Sequence, residues 1–116
     1  MDWKKPSEKL IKLLQQAADS RSEVEKRKMF GCPCYFVGGN MAFGVFADTL
    51  FFRLDEKDRK TLSRNIGKPF EPQPGRTMKE YLQIPEENTI DGKLLNELIT
   101  KSVLYTAGIP PKKKKS

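Results

Sequence analysis

The first apolar positions of the chain recur at helical spacing. Leucine, isoleucine and alanine side chains stand three and four positions apart between residues 10 and 18, with lysine and glutamine between them. Pro6 and Ser7 are typical of helix starts, and Asp19 interrupts the pattern at its end. The spacing predicts a helix over residues 7–18 with one buried face.

From residue 24 onward the pattern becomes that of β-strands. Aromatic and β-branched side chains dominate, and Asp48 is the only charged residue between Met29 and Arg53. Gly38-Gly39-Asn40 supplies residues that tolerate the positive φ of a tight hairpin turn. We expect an antiparallel meander of four strands at residues 24–29, 34–37, 41–47 and 50–54.

The second half of the chain predicts helix, loop, strand and helix. Asp55 is a suitable N-cap for a helix that ends at Gly67. Two prolines remove ladder hydrogen bonds from residues 70–76, so we predict a rigid loop there, followed by a short strand at residues 77–83. Apolar residues at helical spacing predict a last helix at about residues 91–107.

This order of elements predicts an α+β fold, in which an antiparallel sheet of about five strands is packed by N-terminal, middle and C-terminal helices. A length of 116 residues fits one domain. We place that domain at residues 1–108, and we expect residues 109–116 to form a disordered lysine-rich tail.

The net charge of +7 is concentrated at the two ends of the chain. Residues 1–28 hold 8 basic and 5 acidic side chains, residues 29–108 hold 10 of each, and residues 109–116 hold four lysines. A DNA-reading domain usually concentrates its cations on one face of the fold, so the balanced centre argues against that class. The pattern has neither a membrane-spanning run nor a secretory signal, and we expect a cytoplasmic protein.

The composition lacks the residues that enzymes use most often. There is no histidine, which removes the commonest general base and metal ligand. Two cysteines fall short of the four ligands of a structural zinc, and neither GxGxxG nor GxxxxGK[ST] occurs. We therefore expect a protein that is not an enzyme and that uses no metal and no cofactor.

A set of short motifs occurs in a specific order along the chain: Met29-Phe30-Gly31, the glycine hairpin, Leu50-Phe51-Phe52-Arg53-Leu54, Lys68-Pro69-Phe70-Glu71-Pro72, Pro74-Gly75-Arg76, Met78-Lys79-Glu80-Tyr81 and a Pro-Pro-Lys tail. Their order and spacing resemble the N-terminal domain of the TfoX/Sxy family, especially its small stand-alone members, over about residues 8–115. The resemblance implies a fold like that of type III secretion chaperones. It also implies a regulatory module that acts through protein contacts, linked to transcription or natural competence, where full-length relatives act with a cyclic-AMP-responsive activator. It supplies no catalytic residues.

Three residues of the apolar region carry distinctive chemistry. Cys32 and Cys34 flank a proline and are either reactive thiols in a turn or small buried side chains. Arg53 follows a run of apolar residues. It either binds an anionic ligand or a partner's carboxylate in bidentate fashion, or it lies on the exposed side of its strand.

Two further features are candidates for binding. Phe70 and Arg76 belong to the proline-rich segment, which either displays them to a partner or serves as a connector whose Phe70 plugs the sheet edge. The tail lysines could contact phosphates with weak, nonspecific affinity; they are Lys112, Lys113, Lys114 and Lys115.

We expect an unidentified protein partner, no membrane association, and either a monomer or a homodimer. The alternative functions are a nucleic-acid-associated accessory protein that uses its basic termini and a small-ligand or thiol enzyme that uses its cysteines.

Overall fold

A computed structural model describes residues 7–29, 32–64, 67–73, 76–85 and 91–109 of the chain. At residues 29, 71–73 and 76–78 it describes the backbone alone. The helices and strands, in chain order, are α1 (Glu8–Ala18), β1 (Glu25–Met29), β2 (Cys32–Val37), β3 (Asn40–Phe46), β4 (Thr49–Arg53), α2 (Glu56–Ser63), β5 (Lys68–Gln73), β6 (Arg76–Pro85) and α3 (Gly92–Ala107).

The strands form one antiparallel sheet in the order β1-β2-β3-β4-β6-β5. The predicted α+β class and the four-strand meander are confirmed. The prediction of a loop at residues 70–76 was wrong, because the segment through Gln73 forms the edge strand β5. A proline is compatible with an edge strand where its nitrogen faces outward, since the outer side of the strand needs no ladder donors.

Helix α1 begins where the sequence predicts and for the same reasons. The Ser7 hydroxyl accepts a hydrogen bond from the Leu10 amide at 3.2 Å, which satisfies one of the open N–H groups of the first turn. Leu10, Leu14 and Ala18 are buried at four-residue intervals on one face. At the other end of the helix, Asp19 accepts a 2.7 Å hydrogen bond from the hydroxyl of the buried Tyr35, which ties α1 to β2.

The main core lies between one face of the sheet and the helices. Its largest members stack in sequence across three strands: the Tyr35 and Phe43 rings are 4.8 Å apart, and the Phe43 and Phe52 rings are 6.2 Å apart. From α3, Leu95, Leu98 and Ile99 are buried in the same cluster. The helices α1 and α3 thus close one face of the sheet.

A second cluster of strand residues lies on the opposite face of the sheet. Its buried members are Cys34, Phe51, Phe70 and Tyr81, with Phe36, Met41 and Phe46 partly buried around them. Because side chains alternate along a strand, Phe51 points into this cluster while its neighbours in β4 point into the main core.

Candidate functional site

Arg53 is paired with a carboxylate of its own chain. Its Nε donates to Oε1 of Glu80 and its Nη2 donates to Oε2 of Glu80, each at 3.2 Å. A third nitrogen, Nη1, donates to the Met41 carbonyl at 3.4 Å. The geometry is bidentate, and the carboxylate comes from the neighbouring strand β6 rather than from a ligand or a partner.

Two tyrosines complete the network around this ion pair. The Tyr81 ring lies 5.2 Å below the Arg53 guanidinium, and its hydroxyl donates to the Met41 carbonyl at 2.8 Å. The Tyr105 hydroxyl of α3 donates to Oε1 of Glu80 at 2.9 Å. The network therefore joins three strands to the last helix.

A second hydrogen bond fastens α3 beside this network. The buried Ser102 hydroxyl donates to the Ala42 carbonyl at 2.8 Å. Ala42 lies where the pairing of β2 with β3 shifts register, so its carbonyl is available to a helix. The helix is thus held on the sheet by polar contacts as well as by apolar burial.

The electrostatics keep both members of the ion pair charged. Burial alone would lower the pKa of Arg53, but the hydrogen bond to Glu80 and the nearby negative charge outweigh burial and raise it. The hydrogen bond from Arg53 lowers the pKa of Glu80 against the opposing effect of burial, and the Tyr105 hydroxyl acts in the same direction as Arg53. Burial raises the pKa of Tyr81 to about 12, so its hydroxyl stays a donor.

Phe70 lies inside the second cluster and is 4% exposed. Its ring stacks on Phe51 with centroids 4.9 Å apart, and it makes a T-shaped contact with the Phe46 ring with centroids 5.7 Å apart. Of the two alternatives that the sequence left for this side chain, the structure favours the one in which it plugs the sheet edge. The β5 edge strand folds Phe70 over a face to which the described helices contribute no core residue.

Both cysteines are buried thiols, with Cys32 3% and Cys34 4% exposed. Burial, with a smaller effect of the neighbouring Cys32, raises the pKa of Cys34 to about 12. A thiol with this pKa is almost entirely protonated at neutral pH, whereas the thiolate is the nucleophile. The environment of Cys34 is that of a small core side chain.

The sequence did not single out the basic strand β1 as a site. Glu25, Lys26, Arg27 and Lys28 are all exposed there, and β1 lies at one end of the strand order. Arg27 packs its guanidinium 5.0 Å from the centre of the Phe36 ring, on the same side of the sheet as the second cluster. The clue in the sequence was three consecutive cations, but their position at an edge follows only from the strand order.

Two predicted binding groups are not placed in detail. Arg76 begins β6, where the structure describes only the backbone, and Lys112, Lys113, Lys114 and Lys115 lie outside the described residues. Among the described side chains, no three carboxylates or thiols are grouped closely enough to hold a metal ion. In the same parts of the chain, every helix is too short or too polar to cross a membrane.

The geometry defines a small α+β domain in which Arg53 pairs with a carboxylate and a carbonyl of the same chain. The family model of the TfoX N-terminal domain matches residues 14–105, and the chain belongs to this family. The match runs from the middle of α1 to Tyr105 and so includes the Arg53–Glu80 network. Comparison with curated proteins and with solved structures finds no match. The family is generally non-enzymatic, and membership suggests a regulatory or competence-related module.

Proposed function

We propose that this chain is a non-catalytic regulatory module that acts through contacts with another protein. The observation that carries the proposal is the bidentate pairing of Arg53 with Glu80, extended by Tyr105 to α3. Arg53 is thus used, through Glu80 and Tyr105, to hold α3 on the sheet. Family membership points in the same direction, since this family is generally non-enzymatic.

The state of the second-cluster thiol argues against the alternative of a thiol enzyme. An attacking thiolate requires a lowered pKa and access to solvent. Cys34 has a raised pKa of about 12 and is 4% exposed. Its surroundings include Phe51 and Phe70, which supply apolar packing and no base.

The proposal is tested by isolating and reconstituting a complex. The purified chain is used as bait in a lysate of its source organism, and each captured protein is then purified and mixed with the chain for light scattering after size exclusion. We expect one partner to form a complex of fixed stoichiometry. A Phe52→Asp variant is the control bait, because Phe52 is fully buried and the charge disrupts the fold. If no captured protein forms such a complex with the folded chain, the proposal is wrong.

The finer proposal is that the protein contact regulates transcription, with natural competence as the process that the family suggests. Deleting the encoding gene in its source organism should change the transcript levels of a limited set of genes. A chromosomal copy with an intact fold should restore them. Unchanged transcripts under competence-inducing conditions would contradict the transcriptional part and leave the protein contact to be judged by reconstitution.

The exposed cations of β1 and the tail lysines favour nucleic acid as a second candidate partner. A protein that neutralises several phosphates loses affinity steeply with salt. Titration of duplex DNA at about 50 and 200 mM salt therefore separates the two functions. Negligible binding at both salt concentrations would eliminate the nucleic-acid alternative.

A further inference from the structure

Among the described strands, β1 lies at the edge of the sheet and pairs with β2 alone. The outer side of an edge strand presents backbone N–H and C=O groups in the arrangement that a further strand would pair with. Many proteins recognise extended peptides in this way, with main-chain hydrogen bonds supplying affinity and alternate side chains supplying specificity. β1 runs over five residues, which is long enough for such pairing.

The opposite edge of the sheet is less suited to strand addition. β5 carries Pro69 and Pro72, each of which lacks a backbone N–H. A proline whose nitrogen faces outward removes a donor that an added strand would use, so these prolines make β5 the poorer edge for strand addition. β1 has no proline and therefore keeps all of its donors.

The side chains of β1 give this edge a positive charge. Lys26, Arg27 and Lys28 outweigh Glu25, so the strand has a net charge of +2. Lys26 lies 3.4 Å from Asp19, and Arg27 lies 3.3 Å from Glu25, but these side chains are 41% to 63% exposed. Ion pairs at such exposed positions contribute little to stability and can exchange partners.

The strand pleat divides these charges between the two faces of the sheet. Arg27 lies on the face of the second cluster, above Phe36, whereas Lys26 reaches Asp19 at the end of α1 on the helical face. Lys28, two residues after Lys26, shares the helical face. A strand laid along β1 would therefore have two cations beside alternate residues on one face.

We infer that β1 is a docking edge for an acidic, extended segment of a partner protein, which adds to the sheet as a further strand. The inference rests on the proposed function and names the surface and the partner chemistry. The segment carries carboxylates two residues apart, opposite Lys26 and Lys28. A third carboxylate on the other face would meet Arg27.

A second copy of this chain is a poor occupant of the same edge. Pairing two β1 strands would bring a net charge of +2 against +2. In the antiparallel register centred on Arg27, Lys26 of each copy would face Lys28 of the other, and the two Arg27 side chains would face each other. Like charges directly opposite on neighbouring strands destabilise the pairing. The same cations thus disfavour self-association and favour an acidic strand, and we expect a monomer.

The test uses the full chain and a synthetic peptide that alternates glutamate with valine. Binding is measured by fluorescence anisotropy, and the site is mapped by amide hydrogen exchange. We expect binding together with slowed exchange at the amides of β1. A double charge reversal, Lys26→Glu with Lys28→Glu, should weaken binding by about tenfold or more, since two attractive cross-strand pairs become repulsive.

Matched controls separate strand addition from general charge attraction. Lys57→Glu with Lys60→Glu makes the same change of charge on the exposed surface of α2 and should leave the affinity within about twofold of the original. A peptide of the same sequence, with N-methyl groups on the alternate residues whose amides would face β1, should lose binding. The methyl groups remove the N–H donors that pair with the β1 backbone. Circular dichroism confirms that each variant keeps its fold.

Several results would overturn the inference. The inference is wrong if the peptide does not bind, if hydrogen exchange slows only outside β1, or if the α2 variant loses as much affinity as the β1 variant. It is also wrong if the N-methylated peptide still binds, or if the protein forms a homodimer that the Lys26→Glu, Lys28→Glu variant abolishes. Failure here is distinct from failure of the proposed function. If a reconstituted partner complex survives the β1 charge reversal, the docking edge is wrong and the regulatory module stands. If the peptide binds β1 but no partner complex can be reconstituted, the docking edge stands and the proposed function fails.

Discussion

Replacing Phe70 by alanine should destabilise the protein by about 3 kcal/mol. The Phe70 side chain is 4% exposed and fills the space above Phe51, with Phe46 and Tyr81 at its sides. Alanine would remove the whole ring and leave a gap between the edge strand β5 and the sheet. The prediction therefore tests directly whether this side chain closes the second face.

The magnitude follows from the burial and the stacking. Substitutions of buried phenylalanine by alanine cost about 3–5 kcal/mol, of which an aromatic pair contributes about 0.5–1.5 kcal/mol beyond its buried area. In the described part of the sheet β5 pairs only with β6, so it can move toward the vacated space and recover part of the loss. We therefore expect the lower end of the range. Against a total stability of about 5–15 kcal/mol, this is a large fraction.

Urea unfolding, followed by circular dichroism, gives the change in the free energy of unfolding. Phe70→Leu is the conservative control and should cost less than about 1.5 kcal/mol. Leu104→Ala is the surface control, because Leu104 is 69% exposed, and it should change stability by less than about 0.5 kcal/mol. A loss below about 1 kcal/mol for Phe70→Ala, with an unchanged urea dependence, would refute the placement of this ring in the second cluster.

Three further outcomes are expected. Glu80→Gln should lower the free energy of unfolding by about 1–2 kcal/mol at pH 7. Because Arg53 lowers the pKa of Glu80 below 4.5, the wild type should lose this stabilisation as the pH falls below about 4.5. If urea unfolding shows that Glu80→Gln loses as much stability as the wild type over this acid range, the ion pair is contradicted. The pKa of Cys34 is raised from 9.0 to about 12, so burial of the protonated thiol stabilises the fold fully below pH 9, and this stabilisation is lost as the pH rises toward 12. Iodoacetamide should modify Cys34 at pH 8 only when the protein unfolds, and rapid labelling of Cys34 in the native state would disprove its burial. Gly44→Ala would place a Cβ 2.9 Å from the backbone oxygen of Pro33, and it should lower the free energy of unfolding by about 1–3 kcal/mol. An unchanged melting temperature would show that β2 and β3 are farther apart at this point.

The elements predicted from sequence were those whose signals are local. The apolar spacing of α1 and the glycine turn between β2 and β3 each lie within a few residues, and both match the structure. β5 was missed because proline removes hydrogen-bond donors wherever it occurs, while an edge strand needs donors on one side only. Whether a strand lies at an edge depends on the order of strands, and no local pattern contains that order.

The candidate site was less accessible to prediction than the fold. Bidentate binding by Arg53 follows from the shape of guanidinium, but its carboxylate lies 27 residues further along the chain. That pairing requires the register of β4 against β6, which places Arg53 opposite Tyr81. The sequence shows the cations of β1, but it does not show that they lie on an edge strand. That position follows from the strand order, in which four strands separate β1 from β5.

The attachment of α3 has a consequence for how the protein is made. The hydrogen bond from Ser102 to Ala42 joins residues 60 positions apart, and Leu95 and Leu98 supply part of the main core. During synthesis on the ribosome, α1 and the meander of β1 to β4 emerge before α3, so the part of the apolar face that α3 covers stays exposed to water until α3 leaves the exit tunnel. Until α3 has been made, this exposed apolar surface can associate with other unfolded chains, and the docking of α3 on the sheet removes it from contact.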